Sequence, residues 1–273
     1  MAKYKLTIEY DGASYSGWQT QKNAKSIQGT LITATRDLLG HEVDVQGAGR
    51  TDAGVHALGQ VAHLETGKVL PPKKLMEGLN DRLPSNINVL RVEKVHARFH
   101  ARHHATARTY VYLVSKRRTA FAKRYVWWVR DPLDVEKMQT ACRLFEGLHD
   151  FVSFADKRFD KDASTRVQID RVGIVPLNGL IVFTVTGSHF LWKMVRRMVG
   201  ILVEVGRGKL KAGDVAGMLK TFSETPAQCT APPSGLFLMQ VRYEGDSEEP
   251  LRVPFLITPL VNATDLSGAF SRD

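Results

Sequence analysis

Cysteine and long apolar runs are both scarce in this sequence. Of its 273 residues only Cys142 and Cys229 are cysteines, too few for a disulfide framework or a cysteine-based metal site. No apolar run approaches the ~18 residues of a membrane-spanning helix. Residues 1–10 alternate charged residues with β-formers rather than forming the apolar stretch of a signal peptide. We therefore expect a globular cytoplasmic protein without a membrane segment.

Acidic residues are nearly absent from one part of the chain. Between Arg91 and Arg130 the sequence holds eleven Lys and Arg residues and one acid, Glu93, so this part accounts for the whole formal net charge of +10. A basic surplus is usually a solvated face, but one concentrated in a short segment is the electrostatic footprint of polyanion binding. We name residues 91–130 the basic segment and expect it to bind a polyanion.

Apolar periodicity predicts alternating strands and helices. The predicted strands lie at residues 4–10, 43–45, 60–64, 86–95, 107–115, 171–176, 180–186 and 236–243, and the predicted helices at 27–38, 73–83, 135–146, 190–205 and 214–222. Ser26 and Gly40 are predicted to cap the first helix. Asn178-Gly179 is predicted to form the turn of a hairpin.

The order strand, helix, strands, helix, strand occurs twice along the chain, which indicates two related halves. We expect an α/β (α+β) fold in which these halves share a largely antiparallel central sheet flanked by helices, with a basic cleft between them. The expected N-terminal half covers residues 1–105 and the C-terminal half residues 106–245. Residues 246–273 form a tail to which the sequence assigns no role.

The stretch from Gly47 to Ala57 reads Gly-Ala-Gly-Arg-Thr-Asp-Ala-Gly-Val-His-Ala and lies between two predicted strands. Glycine permits a tight turn or a close approach to a ligand, and such a turn can hold the Asp52 carboxylate in a cleft with Arg50 nearby. The spacing matches neither a phosphate loop nor a dinucleotide-binding fingerprint. On glycine spacing alone, an ordinary hairpin with solvated Arg50 and Asp52 is favoured.

The full string resembles, without a gap, the active-site motif G-R-T-D-A-G-V-H of the TruA-type tRNA pseudouridine synthases. The resemblance implies that Asp52 is the catalytic residue. It implies an isomerase that converts uridine to pseudouridine at positions 38, 39 and 40 in the anticodon stem-loop of tRNAs, and a homodimer. The reaction needs neither a redox change nor an energy input, so no cofactor is expected. Arg50 can enter the space that a flipped base leaves, or hold its phosphate.

The segment from Phe99 to Tyr112 lies inside the basic segment. Period-two alternation places Tyr110 and Tyr112 on one face of a strand, where sheet packing is the ordinary role of a tyrosine. An aromatic ring beside arginines can also stack on a base while the arginines contact phosphates. The string resembles the family element F-H-A-R…A-T-A-R-x-Y-x-Y. This implies that Tyr110 packs on the target base and that tRNA is contacted by Phe99, His100, Ala101, Arg102 and His103.

Four histidines in the basic segment raise the question of a metal. They are His96, His100, His103 and His104, and their spacing matches no common zinc pattern. We expect no metal site and interpret these side chains as basic or stacking groups on an RNA face.

The predicted helix at 190–205 carries Arg196 within a largely apolar run, and a buried charge needs a partner. The run resembles the family helix M-V-R-x-[IM]-V-G, in which the first arginine pairs with the catalytic aspartate. The resemblance implies an ion pair between Arg196 and Asp52 that holds the carboxylate ionised and oriented.

Two further matches follow the family's order. The stretch from Gly235 to Tyr243 resembles the element G-L-x-L-x-x-V-x-Y, which implies that Leu236 walls the pocket, although core packing fits the same residue. A looser match to an S-R-T loop that touches tRNA consists of Ser164, Thr165 and Arg166. Two rival hypotheses stay open, a non-catalytic RNA-binding protein and a metal-dependent phosphodiesterase that uses the histidines.

Overall fold

Ten strands form one sheet in the computed structural model of the chain, which describes residues 2–157, 164–177 and 179–254. The strands are β1 (Ala2–Tyr10), β2 (Asp44–Gly47), β3 (His56–Thr66), β4 (Ile87–Lys94), β5 (Ala107–Ser115), β6 (Trp127–Trp128), β7 (Gly147–Asp150), β8 (Arg166–Leu177), β9 (Leu180–Gly187) and β10 (Leu236–Arg242). The helices are α1 (Ile27–Leu39), α2 (Pro72–Asn80), α3 (Val135–Cys142), α4 (Met194–Gly206), α5 (Ala212–Lys220) and α6 (Thr225–Gln228).

The sheet follows the strand order β4-β1-β3-β10-β5-β9-β8-β7, with β2 paired to β3 and β6 paired to β5. Its strand pairs are antiparallel apart from β3 with β10 and β5 with β6, which are parallel. The predicted α/β fold with a largely antiparallel central sheet is therefore confirmed. The last strand, β10, joins the early strands to the later ones, because it pairs with β3 on one side and with β5 on the other. The division into two related halves stays a prediction.

Helices cover one face of the sheet in two apolar clusters. In the first cluster α1 and α2 pack against β1, β3 and β4, and in the second α3, α4 and α5 pack against β5, β8 and β9. Tyr110 contacts both clusters, so it lies where they meet. The alternate residues of β5, Val111 and Leu113, point to the opposite face and pack with Phe237 and Met239. This arrangement confirms that Tyr110 and Tyr112 share one face of their strand.

Most predicted elements are present, and the differences have local causes. The caps of α1 are confirmed, because the Ser26 hydroxyl accepts a hydrogen bond from the Gly29 N–H and Gly40 is left-handed with φ 79°. The helix predicted to start at residue 190 starts at Met194 instead, because Lys193 has a left-handed backbone that no helix can include. The helix predicted to reach residue 146 ends at Cys142 and continues as a short 3-10 turn.

The short elements β6, β7 and α6 were not predicted, because two to four residues carry no readable periodicity. The predicted hairpin is confirmed by the pairing of Leu177 with Leu180. Its turn residue Asn178 and the tail beyond residue 254 lie outside the described residues.

Candidate active site

The loop that carries Asp52 connects β2 to β3 and is fixed at several points. The backbone N–H of Trp18 donates to the Thr51 carbonyl at 3.0 Å, and the Thr51 and Tyr10 hydroxyl oxygens are 2.8 Å apart. Gly54 turns the chain with φ +76°, a conformation that an L-residue with a side chain rarely adopts. The Asp52 side chain is 23% exposed. A freely solvated hairpin is therefore wrong for Asp52, whose carboxylate is partly buried and held.

The predicted ion pair between Arg196 and Asp52 is present. Arg196 Nη1 lies 3.0 Å from Asp52 Oδ2, while Arg196 Nε donates to the Ala231 carbonyl at 2.7 Å. Only 13% of the Arg196 side chain is exposed. The chain around Ala231 lies against α4 because Gly200 has no side chain, and a Cβ there would come 1.6 Å from the Cys229 carbonyl oxygen. The guanidinium thus has two fixed acceptors, and one of them is the candidate catalytic carboxylate.

A third side chain contacts Asp52, and sequence reasoning missed it. The Trp192 indole Nε1–H donates to Asp52 Oδ1 at 2.6 Å, so each carboxylate oxygen has its own donor. Trp192 lies in the loop between β9 and α4 and is 40% exposed. The apolar periodicity placed Trp192 inside the predicted helix at 190–205, as one more residue of an apolar run. No other sequence pattern distinguishes this tryptophan.

The two tyrosines of β5 have different surroundings although they share a face. Tyr112 is buried and its hydroxyl donates to the Pro232 carbonyl at 2.8 Å, which identifies a packing role. Tyr110 is half-buried and meets the Phe190 ring edge to face, with 5.1 Å between ring centroids. Burial raises the pKa of Tyr110, and the nearby Asp52 carboxylate acts in the same direction, so the phenol stays neutral. Of the two tyrosines, Tyr110 is the one whose pKa the Asp52 charge influences.

Leu236 is buried and stands opposite Tyr112 in the pairing of β10 with β5. It belongs to the apolar cluster that also contains Val55 of the Asp52 loop. Leu236 could therefore pack in the core or form a wall of the pocket, because β10 runs beside the start of β3, which follows the Asp52 loop.

The predicted RNA-contacting residues differ in how far they can reach a ligand. Ala101 is buried. Its N–H donates to His63 Nδ1 at 3.2 Å, and its carbonyl accepts a hydrogen bond from the Tyr243 hydroxyl at 2.7 Å. Phe99 packs on the Tyr243 ring, and His100 Nδ1 accepts the backbone N–H of Arg102 at 3.2 Å. These three residues shape the turn, whereas Arg102 and His103 are exposed.

The remaining predicted residues lie apart from the carboxylate. Arg50 is exposed, as are Ser164 and Arg166, while Thr165 is half-buried. Among the hydrogen bonds and ion pairs of the described residues, none joins any of these four side chains to Asp52. Their predicted roles therefore depend on an RNA that reaches from Asp52 to the surface.

Arg108, which the sequence analysis did not single out, holds three loops together. Its guanidinium donates to the carbonyls of Ala48 at 3.3 Å, Arg102 at 2.9 Å, Ala105 at 3.1 Å and Ser188 at 2.6 Å. These carbonyls belong to the Asp52 loop, to the turn that presents Arg102 and His103, and to the loop that leads to Trp192. Arg108 therefore ties the catalytic candidates to the exposed basic residues.

His56, which follows the Asp52 loop, has a structural role in the described geometry. The Gly12 N–H donates to its Nδ1 at 3.1 Å, Asp11 Oδ1 lies 3.1 Å from the same nitrogen, and Nε2 lies 3.0 Å from the Arg124 carbonyl oxygen. The ring stacks on Phe237 with 4.7 Å between centroids. Burial lowers the pKa of His56, although the Asp11 carboxylate opposes this effect. The neutral ring joins the loop to the start of the chain.

Acidification is expected to destabilise the fold through His56. An unfolded histidine titrates near pH ~6.5, and the folded ring resists protonation, so the unfolded chain binds more protons as the pH falls below that value. The loss grows towards the lower folded pKa by at most about 1.4 kcal/mol per pH unit. Urea unfolding of the wild type and His56→Gln, at neutral and at mildly acidic pH, measures it. The wild type should lose more stability than the variant; an equal loss in both would contradict this assignment.

The described residues meet neither the requirements of a metal site nor those of a membrane-spanning helix. Within 2–157, 164–177 and 179–254, no three His, Cys, Asp or Glu side chains converge into a group able to hold a metal ion. No helix of the same residues has both the length and the apolar character needed to cross a membrane.

The chain is similar in sequence to proteins of one family. A family model described as tRNA pseudouridine synthase matches residues 6–104 and 141–244. The tRNA pseudouridine synthase A of Rhodopseudomonas palustris (strain BisA53) is 42% identical over 247 residues, covering 89% of this chain and 100% of that protein. The tRNA pseudouridine synthase A of Ruminiclostridium cellulolyticum is 40% identical over 245 residues, with the same two coverages.

Among solved structures, a chain of a Cbf5-Nop10-Gar1 complex is similar with a TM-score of 0.34 and 11% identity, over 73% of this chain and 54% of that chain.

Proposed function

Since the chain belongs to the tRNA pseudouridine synthase family, whose members are isomerases that act on tRNA, we propose that it converts uridine to pseudouridine at positions 38, 39 and 40 of the anticodon stem-loop. The observation that carries the proposal is the Asp52 carboxylate, partly buried and held by Arg196 and Trp192 on a loop that Arg108 ties to exposed basic residues. This arrangement combines a reactive group with an RNA-binding face.

The reaction breaks the C1′–N1 glycosidic bond, turns the uracil and forms a C1′–C5 bond to the same sugar. C5 then loses its proton and N1 gains one, so the product is an isomer of the substrate. No electrons are gained or lost, so the chain's own residues suffice. Asp52 acts either as a nucleophile on the sugar or base, or as a base that removes a sugar proton. Both routes need an ionised carboxylate at a constant position, and the two donors on Asp52 support that requirement.

The target uridine must leave its stack before Asp52 can reach it, at a cost of a few kcal/mol. Tyr110 stacks on the extruded base, which is worth roughly 1–3 kcal/mol at comparable sites. Its half-buried ring, whose pKa is influenced by the Asp52 charge, supports this role. Leu236 closes the pocket behind the base, and the exposed Arg50 enters the vacated space or holds the flipped phosphate. Comparing the affinity of Tyr110→Phe and Tyr110→Ala for tRNA tests the stacking role, because phenylalanine keeps the ring.

The RNA face comprises the turn at residues 99–103 and the start of β8. Arg102 and His103 contact the RNA backbone, and Phe99, His100 and Ala101 hold them in place. Ser164, Thr165 and Arg166 add a second, peripheral contact. Every such contact weakens as the salt concentration rises, because phosphate binding releases counterions.

The proposal is tested with unmodified tRNA transcripts that carry a uridine at only one of positions 38, 39 and 40. Each transcript is incubated with the protein in EDTA, and pseudouridine is mapped by carbodiimide treatment and primer extension. We expect one stop per transcript, at the single uridine offered. Stops elsewhere in the tRNA would overturn the assigned positions, and tight binding without any stop would favour the RNA-binding protein. Activity that EDTA abolishes would favour metal-dependent chemistry.

We also propose that the protein is a cytoplasmic homodimer, as the family resemblance implies. A dimer would let one tRNA contact both subunits. Sedimentation velocity at assay concentrations should give about twice the mass of the 30.5 kDa chain, and a monomer would contradict the proposal.

A further inference from the structure

Trp192 occupies an unusual position for an aromatic residue on a loop. Its indole N–H donates to Asp52 Oδ1 at 2.6 Å, a short distance for an N–H on a charged acceptor. Arg196 holds the other oxygen, Oδ2, at 3.0 Å. With a donor on each oxygen, the carboxylate plane cannot rotate about its side-chain bond without breaking a hydrogen bond.

The backbone next to Trp192 is strained. Lys193 has φ +63°, and among the described residues it is the only non-glycine residue with positive φ. A left-handed backbone disfavours residues with a Cβ, and such strain concentrates at functional sites. Lys193 immediately precedes α4, so the strained residue stands between the Trp192 side chain and the helix that carries Arg196.

Asp156 contacts this strained backbone both through its own backbone and through its buried side chain. The Asp156 N–H donates to the Trp192 carbonyl at 3.2 Å, and Asp156 Oδ2 lies 2.7 Å from Lys193 Nζ. The Asp156 side chain is 9% exposed and that of Lys193 is 28% exposed. The ion pair is therefore shielded from solvent and can maintain the left-handed turn.

We propose that Trp192 is a positioning residue for Asp52, held over the carboxylate by the left-handed turn at Lys193 and by the contacts of that turn with Asp156. The inference rests on the proposed function, in which Asp52 performs the chemistry. Trp192 acts through Asp52 by holding the carboxylate in one orientation about its side-chain bond, while Arg196 supplies the opposite charge. Because reaction rates depend steeply on such alignment, the loss of Trp192 should affect the chemical step rather than tRNA binding.

The first test replaces Trp192 with phenylalanine, which keeps an apolar ring and removes the N–H. The single-turnover rate on a tRNA transcript should fall about 10- to 100-fold, while the dissociation constant for tRNA stays within about twofold. Phe222→Leu is the control, because Phe222 is an aromatic residue that is 59% exposed and lies outside the basic segment. An unchanged single-turnover rate for Trp192→Phe would overturn the proposal. Weaker tRNA binding without a slower rate would also overturn it, and would identify Trp192 as a stacking surface for RNA instead.

The second test compares Lys193→Gly with Lys193→Ala. Both variants lose the ion pair to Asp156, but only glycine adopts a positive φ without strain. Lys193→Ala should therefore lower the single-turnover rate about five- to thirtyfold relative to Lys193→Gly. Equal rates for the two variants would show that the left-handed turn does not hold Trp192 in place.

A spectroscopic test needs no activity and so separates this inference from the proposed function. The indole N–H resonance of Trp192 is identified as the one missing from Trp192→Phe in a ¹H–¹⁵N spectrum. It should move upfield in Asp52→Ala, which removes its acceptor, and stay in place in Asp44→Ala, which removes an exposed carboxylate on β2. An unmoved resonance in Asp52→Ala would overturn the inference even if pseudouridine is formed. A moved resonance in a protein that forms no pseudouridine would leave the contact standing and refute the proposed function alone.

Discussion

Replacing Asp52 with asparagine is expected to abolish pseudouridine formation while tRNA remains bound. Asparagine has nearly the same shape and still offers an oxygen to the Trp192 N–H, so the loop should keep its position. The amide is neither a nucleophile nor a base, and it leaves the Arg196 guanidinium without its charged partner. Losing the central catalytic group should lower the rate by at least about four orders of magnitude.

The experiment uses single-turnover kinetics with enzyme in excess, and filter binding of the same transcript. Asp44→Asn provides a control with the same change of charge, on the exposed side of the strand that leads into the Asp52 loop. The control should retain both activity and affinity. Asp52→Asn with a rate close to that of the wild type would refute the catalytic assignment. Binding lost in parallel with turnover would show that Asp52 holds the RNA or the fold.

Replacing Arg196 with methionine is expected to slow the chemical step by about 100- to 1,000-fold. Methionine fills similar space but loses the contacts to Asp52 Oδ2 and to the Ala231 carbonyl. Asp52 would then keep only the Trp192 donor and could rotate about its side-chain bond. Arg196→Lys should fall in between, because an ammonium group keeps the charge but cannot replace the guanidinium's fixed fork of donors.

Affinity for tRNA is expected to distinguish Arg196 from the arginines that we propose bind phosphate. Arg196 is 13% exposed, so its replacement should change neither the dissociation constant nor its salt dependence. Arg102 is exposed, and Arg102→Ala should weaken binding and reduce the slope of log K against log salt by about 0.7–0.9. If Arg196→Met behaved like Arg102→Ala, Arg196 would be a phosphate contact and its assignment as the partner of Asp52 would be wrong.

The residues that the sequence identified and those that it missed differ in kind. Asp52 and Arg196 lie in strings with specific residue order, and their ion pair was predicted across 144 positions of the chain. Trp192 lies in a run that periodicity assigns to a helix, and the interruption at Lys193 depends on a contact with Asp156 on a separate loop. Local pattern carries no information about such a contact, so the boundary and the role of Trp192 were both missed.

The sequence determined the longer strands, the main helices and the concentration of positive charge, because these depend on residue type and short-range order. The pairing of Arg196 with Asp52 was implied by the resemblance of their two strings to one protein family, and the ion pair is present in the structure. Only the tertiary structure distinguished the roles of residues that have the same type and similar sequence contexts. Tyr110 is half-buried and its pKa is influenced by the Asp52 charge, while Tyr112 is buried and donates to a backbone carbonyl. Arg108 donates to carbonyls, while Arg102 is exposed to solvent. The physical reason is that burial and hydrogen-bond partners come from loops distant in sequence, and their meeting is set by the packing of the sheet.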